Sequence, residues 1–494
     1  MKKISAMPEI VSAVSRRELL KLVALASASS LPGACVNVDK SMTGKSSSPS
    51  SPNTSPANTD TSGWNDYPAI LARIKAPTFP GRDFSITQFG AIANSDIDAT
   101  QAIASAIMTC ANAGGGSVIV PSGDFITGPI VLKSNVNLHL LDGATLKFST
   151  DPAMYPTLFT RWEGIECFNY SPLISAFGQE NIAITGNGTL DGQASNDNWW
   201  NWTQSQQDDQ KALIIMGDQG IPVAQRMFGA GHRLRPNFVQ LQRCRNILVE
   251  GISIRNSPMW ELHPVLSSNI IIRGVRIDSH GPNNDGCDPE CCRDVLIEDC
   301  EFNTGDDCIA IKSGKNNDGR RVNVPSENII VRNCRMQDGH GGVVLGSECS
   351  GNIRNVFIEN CTMNSPQLAC MLRFKDNAVR GGVLENIFAR NITVGAVSQA
   401  IVTIDFLYEE GAHGSYKPIV RNVQIDHVRS NASPRVMYIA SFPGAEIDQI
   451  KFTNCIFKGV ESAEVLNASG SVEFHNVVIE PKNKPLDLNT RKAL

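Results

Sequence analysis

No block of like charge runs through this sequence. Its 44 Lys and Arg stand against 49 Asp and Glu, for a formal net charge of −5. The two signs are interspersed, so nothing marks a nucleic-acid partner or a general affinity for acidic surfaces. An anionic ligand would have to be caught by a local cluster. A long apolar run is also missing. The stretch "LVALASASSLPGA" (22–34) is too short and too rich in Ser to span a bilayer. No CxxC pairs with a second CxxC or with spaced histidines, which argues against a thiolate metal site among the 14 cysteines. Leu-rich horseshoe repeats and four-stranded propeller blades of about 40 residues are absent as well. What is there, 41% hydrophobic and 19% charged residues, is the composition of a globular protein long enough to bury a large core.

The N-terminus is organised as an address. "SRRELLK" (15–21) ahead of that apolar stretch resembles a twin-arginine export signal, which places the protein in the periplasm or cell envelope, or outside the cell. "LPGAC" puts Cys35 in the position of a lipid-modified cysteine, although Pro32 stands where lipoprotein signals usually carry Leu. Residues 41–63 hold one Met and no other large apolar side chain, so they cannot bury a core and read as a tether. The expected division is a signal over 1–34, a linker over 35–63 and one folded domain over 64–494.

That domain is built from a repeat. Asn or Asp, then Ile or Val, then alternating apolar residues recur at Asn181, Asn246, Asn269, Asp294, Asn328, Asn355, Asn386 and Asn422, and more loosely at Gln449. From Asn246 onward the intervals are 23, 25, 34, 27, 31 and 36 residues, the signature of a constant core with variable loops. A unit of a few short strands cannot bury its face alone and must stack on its neighbours. The expectation is an all-β fold, a right-handed parallel β-helix, in which aligned asparagines form ladders at the turns, side chain to backbone. Cys300, Cys334, Cys361 and Cys455 each fall six residues after the start of a phrase, so they should stack as small buried residues with reduced thiols. An open solenoid end needs a cover. "DATQAIASAIMTCANAGGG" supplies a short N-terminal helix, with Asp98 as its cap and Ile103, Ile107, Cys110 and Ala111 on one face.

Four acidic residues fall in two consecutive coils, Asp285 and Asp288 in "NNDGCDPE", Asp306 and Asp307 in "TGDDC". Coils stack about 4.8 Å apart, so these carboxylates should share one patch. "GHGG" places His340 33 residues after Asp307, and "LRFKDN" places Arg373 another 33 on. Arg373 and Lys375, two apart on a strand, leave the same face and make a clamp for a carboxylate. Each feature has a plain alternative. A DD pair is most often a solvated turn, a lone His is usually packing, and an RxK on an edge strand guards against aggregation. Acidic clusters also bind Ca²⁺. Recurrence of all four motifs at multiples of one coil is what favours a site.

"NNDGCDP", "TGDDCIAIKSG", "GHGGVVLGSE" and "RFK" resemble, in order and spacing, the four signature motifs of the polygalacturonases, the pectin hydrolases of glycoside hydrolase family twenty-eight. The likeness extends from about Phe79 through "RWEGIECFNYSPLI" and "RNSPMW" to "RGGVLENI". It implies a right-handed parallel β-helix that hydrolyses α-1,4 bonds to galacturonic acid with inversion, with a pectic polysaccharide as substrate, no cofactor and no metal. It further implies that Asp306 is the general acid, kept protonated by its crowded neighbours, and that Asp285 and Asp307 activate water. His340 would support the acid. Arg373 and Lys375 would bind the substrate carboxylate, with Tyr408 in the cleft and Asp288 as a further acid. Asn284 replaces a threonine usual in the first motif, and Phe374 an isoleucine in the last. Endo or exo action depends on whether insertions around "DNWWNWTQSQQDDQ" and "MFGAGHRLRP" close the cleft, with exo action favoured, and Trp199, Trp200 and Trp202 form either a sugar platform or packing. The other readings are a hydrolase of rhamnogalacturonan or another galacturonate chain, a Ca-dependent β-helical pectate lyase, and a glycan-binding β-helix without catalysis. A monomer is expected.

Overall fold

In the computed structural model of the chain, residues 63–462 and 471–482 are described. The expected export signal, Cys35 and the linker up to residue 62 lie outside the described residues. Each repeat phrase becomes one coil. The phrase at Asn246 forms the strand Arg245–Glu250, turns at Gly251 into Ser253–Arg255, and reaches Leu262–Val265 before the next phrase starts over. Equivalent strands of successive coils pair in parallel, giving a first sheet of 13 strands, a second of 12, and a third in runs of four and five. This is the expected parallel β-helix, with the right-handed coil that parallel crossovers adopt.

Its core is a stack of identical choices. Ile247, Ile270, Val295, Ile329, Val356, Ile387, Val423 and Ile450 lie in register through eight strands of the first sheet, all buried. From Asn246 onward, the position six residues into each phrase is filled by Ile252, Val275, Cys300, Cys334, Cys361, Ile392, Val428 and Cys455, all in the same apolar core. Cysteine alternates there with Val and Ile because the site asks for a small apolar side chain. The 13 cysteines among the described residues are all buried and free.

The asparagines do form a ladder, but side chain to side chain. The Nδ2 of Asn181 donates to Asn135 Oδ1 at 3.0 Å, Asn246 to Asn181 at 2.8 Å, Asn269 to Asn246 at 2.8 Å, Asn355 to Asn328 at 3.1 Å, Asn386 to Asn355 at 3.1 Å and Asn422 to Asn386 at 2.7 Å. Every member has φ between 51° and 63°, in the left-handed region that Asn tolerates better than other non-glycine residues. The amide therefore answers two demands at once, the turn and the link to the next coil.

The N-terminal cover is the helix Thr100–Asn112, with Ile103, Ile107 and Cys110 buried against the first coils. Asp98 caps it from one residue before the N-cap, its Oδ1 accepting from the Thr100 amide at 2.8 Å. A second helix, Tyr67–Arg73, lies on the outer face of the first sheet against Ile271, Leu296, Ile330, Phe357 and Phe388. Two departures from the solenoid matter for function. The third sheet loses regular strand at the coil carrying Asp285 and Asp288, where isolated bridges through Cys287 and Glu290 join its two runs. An antiparallel hairpin, Thr157–Trp162 with Ile165–Tyr170, projects from an early coil, and the helix Gln207–Asp218 packs behind it through Leu213 against Trp162, Ile165 and Cys167.

Asn355 stands mid-ladder. Asn355→Ala should lower stability by about 2 kcal/mol, from left-handed strain and lost amide bonds together, whereas Asn355→Gly, which adopts positive φ freely, should lose roughly half that. Urea denaturation of both variants measures it; equal losses would remove the backbone part of the argument.

Candidate active site

The chain bends at Gly305 and Asp306, between the strands Glu301–Thr304 and Ile309–Ile311. Gly305 is needed because the backbone of His280 and Gly281 passes so close that a Cβ there would sit 2.5 Å from the Gly281 carbonyl oxygen. The bend lets two adjacent carboxylates share one face. Register does the rest. Cys287 pairs with Ile309, and Ile309 with Val343, so Asp285 and Asp307, each two residues earlier, share one row, while Asp306 and His340, each three residues earlier, share the next. Asp285, Asp306 and Asp307 each bring an oxygen within 4.8 Å of the others.

Each carboxylate has its own cation. The Lys375 ammonium lies 2.6 Å from Asp307 Oδ2, the Lys312 ammonium 3.5 Å from Asp285 Oδ2, and His340 Nδ1 2.8 Å from Asp306 Oδ1, which also accepts the Asp307 amide at 3.0 Å. Asp307 and Asp285 are buried, whereas the Asp306 side chain is 18% exposed and His340 57%. The three acids could offer one oxygen each to a cation, but with their charge already answered by Lys375, Lys312 and His340 the donor set does not fit a metal centre.

Four features of this arrangement bear on the sequence expectation. Burial pushes the Asp285 carboxyl well up, helped by the charge of Asp306. Burial acts in the same direction on Asp306, but the His340 hydrogen bond and the Lys375 charge outweigh it and hold that carboxyl below its usual range; the Asp306 bond in turn raises His340. The two carboxyls are thus pushed in opposite directions, Asp285 up and Asp306 down, so crowding alone does not hold Asp306 protonated. Second, Lys375 is buried against Asp307, so the clamp facing solvent is Arg373, which lies in the row after Ala310 and Val344. Its guanidinium and the Lys375 ammonium stand 5.8 and 5.5 Å from the Tyr408 ring. Third, Asp288 is fully buried behind the cluster with both oxygens unpartnered, its carboxyl raised by burial. Fourth, Trp199 and Trp202 are buried, with ring centroids 4.8 Å apart; only Trp200 is partly open, its indole N–H donating to Ser257 O and its ring against Gly281.

Asn284 has a role of its own. Fully buried, it accepts from Ser279 Oγ and the Gly281 amide at 2.7 Å and donates to Ser257 O and Met259 O at 3.0 Å, tying the loop before Asp285 to the previous coil. Three charged neighbours were not singled out from sequence. Lys312 and Glu348, 3.3 Å apart, lie within the quoted motifs; Glu261, fully buried with its carboxyl pushed well up by burial, lies in "MWELHPV".

The hairpin closes one side. Gln240 and His263, outward-facing on the coils before the cluster, are buried under it: Gln240 Nε2 donates to Arg161 O at 2.8 Å, Arg161 Nε donates to Glu290 Oε1 at 2.6 Å, and His263 Nε2 meets Glu290 Oε2 at 2.9 Å. At the tip, Glu163 accepts from Gln210 at 2.7 Å and Lys315 at 3.3 Å. On the following coils His340 and Arg373 face outward. The hairpin thus runs along the coils that carry the acids, from Gln240 and His263 to Glu290 and Lys315, while the His340 imidazole is exposed on the coil beyond.

A family profile described as glycosyl hydrolases family 28 matches residues 224–473. A probable polygalacturonase of Vitis vinifera is 30% identical over 348 residues, 68% of this chain and 64% of the relative, so the chain spans a little under two thirds of its length. An exo-poly-alpha-D-galacturonosidase of Dickeya chrysanthemi is 27% identical over 434 residues, 80% of this chain and 70% of that one. A solved hyperthermoactive exopolygalacturonase from Thermotoga maritima is 43% identical with a TM-score of 0.81, covering 84% of this chain and 95% of its own. With half of its length matched by the profile, the β-helix and a relative at 30% identity, the chain belongs to the glycosyl hydrolases of family 28.

Proposed function

We propose that this protein is an exported glycoside hydrolase that removes residues from the end of polygalacturonate chains by cleaving α-1,4-galacturonosyl bonds. The carrying observation is the convergence of Asp285, Asp306 and Asp307 beside the outward Arg373. Asp306 is the general acid because it alone of the three reaches the open cleft. Asp285 and Asp307 hold the attacking water and accept its proton. A substrate carboxylate near Asp306, and the water its sugar displaces, both raise the proton affinity of that acid. The cluster proton then passes from Asp285 to Asp306, which arms the acid and frees the base in one step. Arg373 takes the substrate carboxylate as a bidentate clamp, Tyr408 flanks it, and His340 orients Asp306.

Inversion is the stereochemistry that the family likeness implies. A specific observation favours the other outcome as a second reading: acid and base oxygens within 4.8 Å are closer than the roughly 6.5–9.5 Å usual for inverting pairs. Against retention, both Asp285 and Asp307 are buried and held by lysines, a poor setting for attack on an anomeric carbon. Exo action rests on the hairpin wall, and the relatives from Dickeya chrysanthemi and Thermotoga maritima, named as exo-acting, agree with it. The reading includes a twin-arginine signal over 1–34 and a linker over 35–63 ahead of a monomeric catalytic domain.

Asp306→Asn should abolish reducing-sugar release from polygalacturonate with unchanged circular dichroism; turnover near wild type would overturn the assignment. In the wild-type digest the first product should be the free monomer or dimer rather than a ladder, and proton NMR of that product should show the β anomer first. A ladder of oligomers would refute exo action, an α anomer would establish retention, and activity on rhamnogalacturonan alone would move the substrate. Lys375→Met should lower stability by about 3 kcal/mol, since it leaves Asp307 buried without its cation. Arg373→Met should alter stability by no more than about 1 kcal/mol and raise KM at least tenfold; denaturation midpoints and steady-state kinetics separate the two.

A further inference from the structure

Lys312 is the one cation of the cluster that is divided between anions. Its ammonium lies 3.5 Å from Asp285 Oδ2, 3.3 Å from Glu348 Oε2 and 4.3 Å from the centroid of the Trp260 ring. Lys375, by contrast, meets Asp307 at 2.6 Å. Lys312, Glu348 and Asp285 are all buried, and Asp285 Oδ1 has no partner. Other charges crowd the same space. Asp306, Asp307, Asp288, Glu261 and Lys375 face Asp285. On the far side, Glu348 also faces Lys315 at 3.6 Å and the Arg380 guanidinium, and Lys315 leads on to Glu163 at the hairpin tip.

We propose that Lys312 and Glu348 are a positioning pair for the hydrolytic reaction, Lys312 holding the Asp285 carboxylate toward the attacking water and Glu348 drawing the ammonium part of the way off it. The proposal rests on the reading of Asp285 as a water-activating base. Its geometry leaves Asp285 with a divided cation, which favours a proton on the cluster more than an undivided one would. An undivided lysine on Asp285, like that on Asp307, would favour three ionised acids and leave none to pass to Asp306. Without Lys312, Asp285 would hold its proton too tightly to release it. Glu348 sets the compromise, and its own charge is held by Lys312, Lys315 and Arg380 against burial.

The signs of two substitutions are opposite. Lys312→Met removes a cation, raises the proton affinity of the cluster, and should displace the pH profile of kcat/KM upward by about one unit, with kcat reduced at least tenfold and KM changed less than threefold. Glu348→Gln leaves the ammonium to Asp285 and should displace the profile downward by a similar amount. Lys312→Arg keeps the charge and should return the profile to within about half a unit of wild type, which a merely structural role for the side chain would not produce. Circular dichroism and denaturation midpoints of each variant, with profiles measured on polygalacturonate, complete the test. Opposite displacements with recovery in Lys312→Arg support the pair; unmoved profiles, or displacements in one direction, overturn it. Asp285→Asn measured alongside separates the two levels: activity near wild type there would defeat the reading of Asp285 itself, whereas an inactive Asp285→Asn with unmoved Lys312→Met and Glu348→Gln profiles would defeat the pair alone.

Discussion

Backbone pairing of each coil with the next, residue for residue, is the constraint on which everything else in this molecule depends. A carboxylate can meet a carboxylate one coil away only because Cys287 is held opposite Ile309. In a strand a slip of one residue sends every side chain to the other face, and here it would carry Asp285 away from Asp307. The register is held where it matters least to the site and matters most to the fold, in the Ile and Val stack of the first sheet and in the asparagine ladder beside it. The third sheet can therefore lose regular strand at the Asp285 coil without losing alignment. A rigid two-sheet frame frees the third side to carry irregular backbone.

Charge is the second constraint, and it follows from the first. Bringing three carboxylates within 4.8 Å under partial burial is unfavourable unless each is answered, because a buried ion deprived of its partner costs several kcal/mol. Lys375, Lys312 and His340 answer them, from three different coils. The phrase "TGDDCIAIKSG" supplies two of the acids and, five residues past Asp307, the cation for the third. Its close spacing is the economy of a strand crossing the floor of the cleft, with Asp307 at one end and Lys312 at the other. The unequal distances, 2.6 Å for Lys375 and 3.5 Å for Lys312, distinguish two acids that one chain pattern would make equivalent.

How much of this was legible follows from the range of each signal. The coils were readable because their pattern is local and repeated: Asn, then Ile or Val, at intervals that never fall below 23 residues. The acid cluster was readable because motif spacing matched coil spacing. The left-handed turn was only half readable, since the sequence marks asparagine but does not say whether its amide meets backbone or the next amide. Lys375 was assigned to substrate because strand alternation places it on the face of Arg373; that it turns to Asp307, 68 residues away, depends on a depth that alternation does not carry. Lys312 and Glu348 stood in quoted motifs, yet nothing in their spacing marks an ion pair. The hairpin "TLFTRWEGIECFNY" was hidden for the same reason: Arg161 finds Glu290 across 129 residues, and an insertion has no period to betray where it folds back.

The hairpin raises a physical question that bears on how the cleft works. Its contact with the solenoid face is polar, with Arg161, Glu290, His263 and Gln240 all buried, where an apolar seam would bury the same area with no desolvation penalty. A buried ion pair of this kind is weak evidence for stability and adds more to position. Hydrophobic faces slide; a guanidinium bonded to one carboxylate, itself bonded to one imidazole, has a single register. The apolar contacts lie beside this seam, where Leu213 and Phe228, with Met259 and Trp260 of the solenoid, join Trp162 and Cys167. The apolar cluster supplies stability, and the polar seam fixes placement. A wall placed by directional bonds beside the acids is set by the fold itself, so the side of the cleft that it occupies needs no closing motion.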